Sequence, residues 1–203
     1  MSAVPARLLS AATALFAARG YEGTSVRAIC SAAQTNLNAV TYHFGGKQAL
    51  YAAVIQGVGE RRLASAHRIL AHPAATPAEL ETRLVLFAEE TLASWLEEPG
   101  VLKILMAELQ QGFRNCGEEA LAPLAEHSAV VNAFLTAAQG DGLLRGSVDV
   151  DIVVGSLLER LNGQVLYAGV VQSQYGTSIL DPDYRRHWVQ QTIALLLHGA
   201  AER

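Results

Sequence analysis

The sequence predicts an all-α protein: a small N-terminal three-helix helix-turn-helix domain followed by a larger C-terminal helical domain. Three observations predict it. Apolar residues recur at helical spacing nearly throughout the 203 residues, and no run of alternating β-branched residues interrupts them. Hydrophobic residues make up 51% against 17% charged, with six prolines, a composition that buries a full core and excludes bulk disorder. The charges are also segregated. Residues 1–62 hold six Lys or Arg and two Glu, leaving +4, whereas the remainder holds nine basic and seventeen acidic side chains, leaving −8. A basic front and an acidic rear suit a chain of which one portion meets a polyanion.

The first helix runs from about Val4 to Arg19. Leu8, Ala12 and Leu15, and in parallel Leu9, Ala12 and Phe16, share helical faces, and Gly20 ends it. Only Arg7 precedes this apolar stretch, so it reads as a helix of the folded protein rather than a secretory signal. A second helix starts after Thr24, whose hydroxyl suits an N-cap, and buries Val26, Ile29 and Ala33. Gln34-Thr35-Asn36 form a three-residue turn, with Asn36 suited to cap a third helix from Leu37 to about Phe44. Gly45-Gly46 break that helix, and Lys47 opens a long fourth one toward Ala71.

His72 to Pro77 is the clearest linker. Helices then follow over Pro77 to Leu96, Pro99 to about Phe113, Glu118 to Gln139, Asp151 to Gln172, and Pro182 to Ala201. Asp149 and Asp181 sit where carboxylates cap helix starts, which accounts for the pairs Asp149/Asp151 and Asp181/Asp183 better than metal ligation does. The expected organisation is a three-helix domain over 1–46, a linking helix over 47–71, and a larger helical domain over 72–203.

Several chemistries lack their residues. Cys30 and Cys116 fit neither a zinc spacing nor a disulfide scaffold, which favours a reduced, cytoplasmic setting. The six histidines form no H-x-x-x-H or E-x-x-H pair, so no metal is expected. Gly45-Gly46-Lys47 is no P-loop, because the first glycine would fall on Thr41 and Gln48 replaces the required Ser or Thr. Neither a nucleophile elbow nor a dinucleotide fingerprint occurs, so neither an enzyme nor a cofactor is expected. No apolar run reaches the roughly 18 residues of a membrane helix, so no membrane partner is expected. The rival readings are a helical enzyme and a DNA-independent helical adaptor.

Two short helices joined by a three-residue turn match a helix-turn-helix. In the third helix Val40 and Phe44 share an inward side, and Asn38, Ala39, Thr41 and Tyr42 occupy much of the rest, followed by His43. No acid occurs between Thr24 and Gly59. Asn and Thr exchange hydrogen bonds with base edges, and Ala39 can meet a thymine methyl. Tyr42, His43 and Lys47 suit phosphates, while Leu37 either packs inward or faces the groove. The run from Ala12 through Gly20-Tyr-Glu-Gly-Thr24-Ser-Val-Arg27, then Ile29 and Ala33, then Tyr42-His-Phe-Gly-Gly-Lys47-Gln-Ala-Leu50 closely resembles the TetR family of bacterial transcriptional regulators. The resemblance covers residues 6 to about 55 without a gap.

The resemblance implies a regulator released from DNA by a small-molecule effector, with repression the family's usual mode and activation the alternative. Its DNA contacts would be Thr24, Arg27, Asn36, Leu37, Asn38, Ala39, Thr41, Tyr42, His43 and Lys47. The chain departs from the family at the turn, where Gln34 and Thr35 stand in place of a frequent Gly and Val. A left-handed backbone at Gln34 would cost roughly 1 kcal/mol.

One such unit buries too little surface for tight specificity, so a homodimer reading a palindromic operator in double-stranded DNA is expected. Leu157, Leu158, Leu161 and Val165, with Ile152 and the small Gly155 and Gly163, give one interface helix; Trp188, Leu195 and Leu196 give the second. An effector pocket would draw walls from Phe87, Trp95, Met106, Phe113, Phe134 and Tyr167, and polar contacts from Glu90, Gln110, Asn162 or Gln164. That mixture suits an apolar or amphipathic effector.

Overall fold

The computed structural model describes residues 3–199, and among them it contains ten α-helices and no strand. The chain divides into two compact units, one built from the segment ending at Arg61 with Glu98–Leu124, the other from Arg62–Glu97 with the segment beginning at Ala125.

In the first unit, α1 (Ala3–Arg19) packs against α2 (Val26–Ala32) and α3 (Asn38–Phe44), burying Leu8, Ala12, Phe16, Ile29 and Val40. Thr24 does not cap α2. It is fully buried, and its hydroxyl donates to the Gly20 carbonyl at 2.8 Å, tying the end of α1 to the turn beyond it. The cap is the next residue, Ser25, whose Oγ accepts from the Ala28 N–H at 3.2 Å. Asn36 likewise lends α3 its backbone carbonyl, which accepts from Ala39 N–H, rather than its side chain.

The turn between α2 and α3 is left-handed at Gln34, with φ of 53°. The Thr35 N–H donates to Cys30 O at 2.9 Å and the Gln34 N–H to Ser31 O at 3.2 Å. These two bonds form a Schellman motif, whose left-handed position glycine normally takes because it has no Cβ to clash. Gln34→Gly is therefore expected to stabilise the protein by about 0.5–1 kcal/mol, read as a higher urea midpoint at unchanged slope. An unchanged or lower midpoint would mean that the glutamine side chain compensates its own strain.

The helix α4 (Lys47–Leu70) contributes residues 47–61 to the first unit and 62–70 to the second. In the first unit Leu50, Tyr51, Val54 and Ile55 are buried. There, α6 (Pro99–Gln111) crosses α1, and the crossing is so close that a Cβ on Gly100 would overlap the Ala17 methyl. Beyond α6, Gly112 and Phe113 both take left-handed backbones, with φ of 67° and 59°. The loop they start is held by Glu108, which is buried. Its Oε1 accepts from Tyr51 Oη at 3.0 Å and from Asn115 Nδ2 at 2.8 Å, and its Oε2 from the Asn115 N–H at 3.2 Å. Burial, and then the bond to this carboxylate, push the Tyr51 hydroxyl pKa well up, so Tyr51 stays protonated and donates.

The second unit is a helical bundle. Its core gathers Ala66 and Leu70 of α4, Leu80 to Leu92 of α5 (Pro77–Glu97), Val131 to Ala138 of α7 (Ala122–Gly140), Val154, Leu157 and Leu161 of α8 (Val150–Leu166), and Val189 and Ile193 of α10 (Pro182–His198). Asp149 and Asp181 cap α8 and α10, each accepting two backbone N–H bonds. The predicted helix over Asp151–Gln172 is interrupted. At Tyr167 the backbone leaves helical geometry, and α9 (Ala168–Tyr175) begins. The predicted end of the last helix at Ala201 lies outside the described residues. No helix among those described is long and apolar enough to cross a membrane.

Candidate nucleic-acid interface

The α3 helix is anchored from one side only. Val40 is fully buried, Ala39 nearly so, and Phe44 half-buried, which fixes the helix on α1 and α2. Asn38, Thr41, Tyr42 and His43 then project to solvent, with Tyr42 84% exposed and its ring edge-on to that of His43. Leu37 is 57% exposed, so of its two readings the structure takes the outward one. Asn36 and Arg27 are exposed as well. A concave surface of about 520 Å³ brings together Asn36, Asn38, Ala39, Tyr42 and His43 with Val4, Arg7, Gln34 and Thr35.

Arg7 is the cation that residue-by-residue reading missed. Its charge was visible in the sequence, but only the packing of α1 on α3 brings it to this surface. Two members stand apart. Thr24 is buried with its hydroxyl committed to a carbonyl. Lys47 places its ammonium 4.1 Å from the centre of the Tyr21 ring, a cation–π contact on a ring that itself meets Tyr51 and Phe16. A helix held by one apolar edge, presenting amide, hydroxyl and phenol groups beside cations, is the recognition element of a helix-turn-helix.

The unit is therefore a DNA-binding domain of that class. Residues 8–54 match the family model for bacterial regulatory proteins of the tetR family. The chain is 26% identical over 147 residues to the HTH-type transcriptional regulator UidR of Escherichia coli strain K12, covering 72% of this chain and 69% of that protein. Among solved structures, the TetR family regulator PfmR from Thermus thermophilus superposes with a TM-score of 0.76 at 22% identity, covering 97% of both chains. FadR from Bacillus subtilis, solved with stearoyl-CoA, superposes with a TM-score of 0.73 at 16% identity, covering 97% of this chain and 99% of that one. Residues 8–54 thus carry the N-terminal DNA-binding domain of tetR-family bacterial regulatory proteins, and the chain as a whole shares the fold of regulators of that family.

The residues expected to line a pocket are dispersed. Met106, Gln110 and Phe113 belong to the first unit, with Gln110 exposed. In the second unit Tyr167 is 62% exposed, and Glu90 is ion-paired with Arg68. Phe87 and Phe134 lie in the second unit's core, Trp95 meets Asn162, and beside Phe87 and Trp95 lies a polar cluster the sequence did not reveal. Phe87, Thr91 and Trp95 line one buried face of α5 at four-residue spacing. Trp95 Nε1 donates to Asn162 Oδ1 at 2.9 Å. His127, only 3% exposed, stacks on Phe87 at 5.5 Å. The Arg62 guanidinium lies 4.0 Å from the Trp95 ring centre and is 6% exposed.

Burial pulls the Arg62 pKa down to about 10, which leaves it charged at neutral pH. Burial, and then the Arg62 charge, push His127 down to about 4, so it is neutral there. Arg62 Nη1 and Gln164 Oε1 are buried without a hydrogen-bond partner among the described residues.

The residues expected at a dimer interface divide into two sets. Leu157 and Leu161 lie within the second unit's own core. Leu158, Val165 and Trp188 are half-buried, Ile152 is 67% exposed and Leu195 45% exposed. Gly155 has no atom of another residue near its missing Cβ.

Proposed function

We propose that this regulator is a repressor that binds a palindromic operator as a homodimer and leaves it when a small molecule binds the C-terminal region. One observation carries the reading. The α3 surface offers Asn38, Thr41, Tyr42 and His43 to solvent beside Arg7 and Arg27, in a stretch with no acid from Thr24 to Gly59. Asn38 and Thr41 read base edges, while Tyr42, His43, Arg7, Arg27 and Lys47 hold phosphates. Asn36 and Leu37 enter the groove beside them. Thr24 and Ala39, being buried, act by fixing the helix that reads.

We assign reading to residues 1–46, linkage to 47–71, and effector binding and dimerisation to 72–203. The exposed Ile152, Leu195 and open Gly155, with half-buried Leu158, Val165 and Trp188, form the dimer surface. Two such subunits hold their recognition helices one helical turn apart, about 34–36 Å. The effector shifts the protein between two arrangements by binding one better than the other. The α4 helix conveys the preference, because it is continuous from Lys47 to Leu70. FadR, of the same fold, was solved with a small molecule, stearoyl-CoA, which is consistent with such a ligand.

Variants on selected DNA test the assignments. Tyr42→Phe and Lys47→Ala weaken binding to all sequences alike, and Lys47→Ala lowers the slope of log affinity against log salt by about 1. Asn38→Ala and Thr41→Val cost about 1–3 kcal/mol at particular base positions and relax specificity there. A uniform loss in the Asn38 and Thr41 variants would remove them from base reading. Unchanged affinity in Lys47→Ala would assign its ammonium to Tyr21 alone.

A further inference from the structure

We propose that Arg62 is the anchor for the effector, and that the effector is a small monocarboxylic acid with an apolar or aromatic body. The inference rests on the effector reading above and names the ligand's chemistry.

Arg62 is 6% exposed, and its Nη1 finds no acceptor among the described residues. Its guanidinium carbon lies 4.0 Å from the Trp95 ring centre, and no carboxylate pairs with it among the described residues. A buried charge without an anion is costly, and proteins either pair it or replace it. The residues around it do not supply the anion. His127 is a neutral ring stacked on Phe87, Asn162 is engaged by Trp95 Nε1, and Thr91 is uncharged. The nearby α4 cation Arg68 is spent on Glu90 at the surface.

A group that pairs with Arg62 has a definite chemistry. A carboxylate matches the forked edge of a guanidinium in two parallel hydrogen bonds. One unpaired positive charge balances one negative charge, which favours a monoanion over a phosphate. Trp95, against the guanidinium, and Phe87, two turns away on the same buried face of α5, accept an apolar body. Arg62 is buried, so the acid binds an arrangement of the second unit in which the helices around Arg62 part. Because Arg62 is part of α4, the pairing acts directly on the helix that runs back to Lys47.

The test uses the full-length protein with benzoate, phenylacetate and hexanoate at millimolar concentration, each beside its primary amide. Thermal unfolding and release of selected DNA are read in wild type, Arg62→Met and Arg62→Lys. The acids raise the melting temperature of wild type and the amides do not. Arg62→Met loses the response while still binding DNA, and its ligand-free melting temperature equals or exceeds that of wild type. Arg62→Lys keeps the charge without the fork and responds at least about tenfold more weakly. Equal shifts from acids and amides, equal responses in Arg62→Met and wild type, or no shift from any acid would overturn the assignment. Release of DNA by a neutral molecule alone would overturn the carboxylate but leave the effector reading standing. No release by a broad metabolite collection would sink the reading beneath it.

Discussion

Gly100→Ala is expected to lower stability by about 1–3 kcal/mol, a drop in melting temperature of roughly 2–10 °C. The cause is local: α6 meets α1 with no room between Gly100 and the Ala17 methyl, and that methyl is fixed directly to the α1 backbone, so it cannot swing aside. An alanine there forces the helices apart and loosens the packing of Val101 and Leu102, both buried. The paired change Ala17→Gly restores the space at the cost of about 1 kcal/mol of helix propensity, so the double variant should be more stable than the two single effects sum to. Additive losses would show that the crossing is not where the strain falls. The same crossing links α6 to a helix of the DNA-binding domain, so the variant also reports how tightly that domain is held.

Acid should weaken the fold through His127, by about 2–3 kcal/mol between neutral pH and pH 4. Unfolded, the imidazole takes its proton near its ordinary 6.5; folded, burial and then the Arg62 charge hold it down to about 4. Between those values the unfolded chain binds a proton that the folded chain refuses. The stabilisation is therefore complete above about pH 6.5 and is lost as pH falls toward 4. Urea unfolding at pH 7 and 4.5 checks it. In His127→Phe, which keeps an aromatic ring against Phe87, the loss between the two pH values should shrink by about 2 kcal/mol. Parallel losses in wild type and variant would place the acid sensitivity elsewhere.

The features legible in the sequence were those decided within a few residues. Gly20 and Gly45 end helices, and Asp149 and Asp181 start them, because each rule concerns a terminus and its own free backbone groups. The strained Gln34 was legible as a departure from glycine, and its backbone is left-handed. Thr24 and Ser25 are both competent caps, and which one caps was decided by the buried bond from Thr24 to Gly20. The interruption at Tyr167 carries no Pro or capping signal, so the helix there read as continuous. Of the site, the outward residues of α3 followed from its apolar edge.

The buried charges did not follow. Arg62 was one more cation in the basic front, and Glu108 one more acid in the rear. Each is buried through helices far away in sequence: Trp95 for the first, Tyr51 for the second. Phe87, Trp95 and Phe134 were legible as large apolar residues, but their neighbourhood with Arg62 and His127 exists only once the second unit has folded.

The most direct test of the account is selection of bound fragments from random-sequence double-stranded DNA across a salt series. Refolding the protein from denaturant first strips any retained small molecule. The account predicts an enriched palindrome with half-sites about one helical turn apart, and affinity that falls steeply as salt rises. Failure of the stripped, refolded protein to enrich any sequence would contradict it.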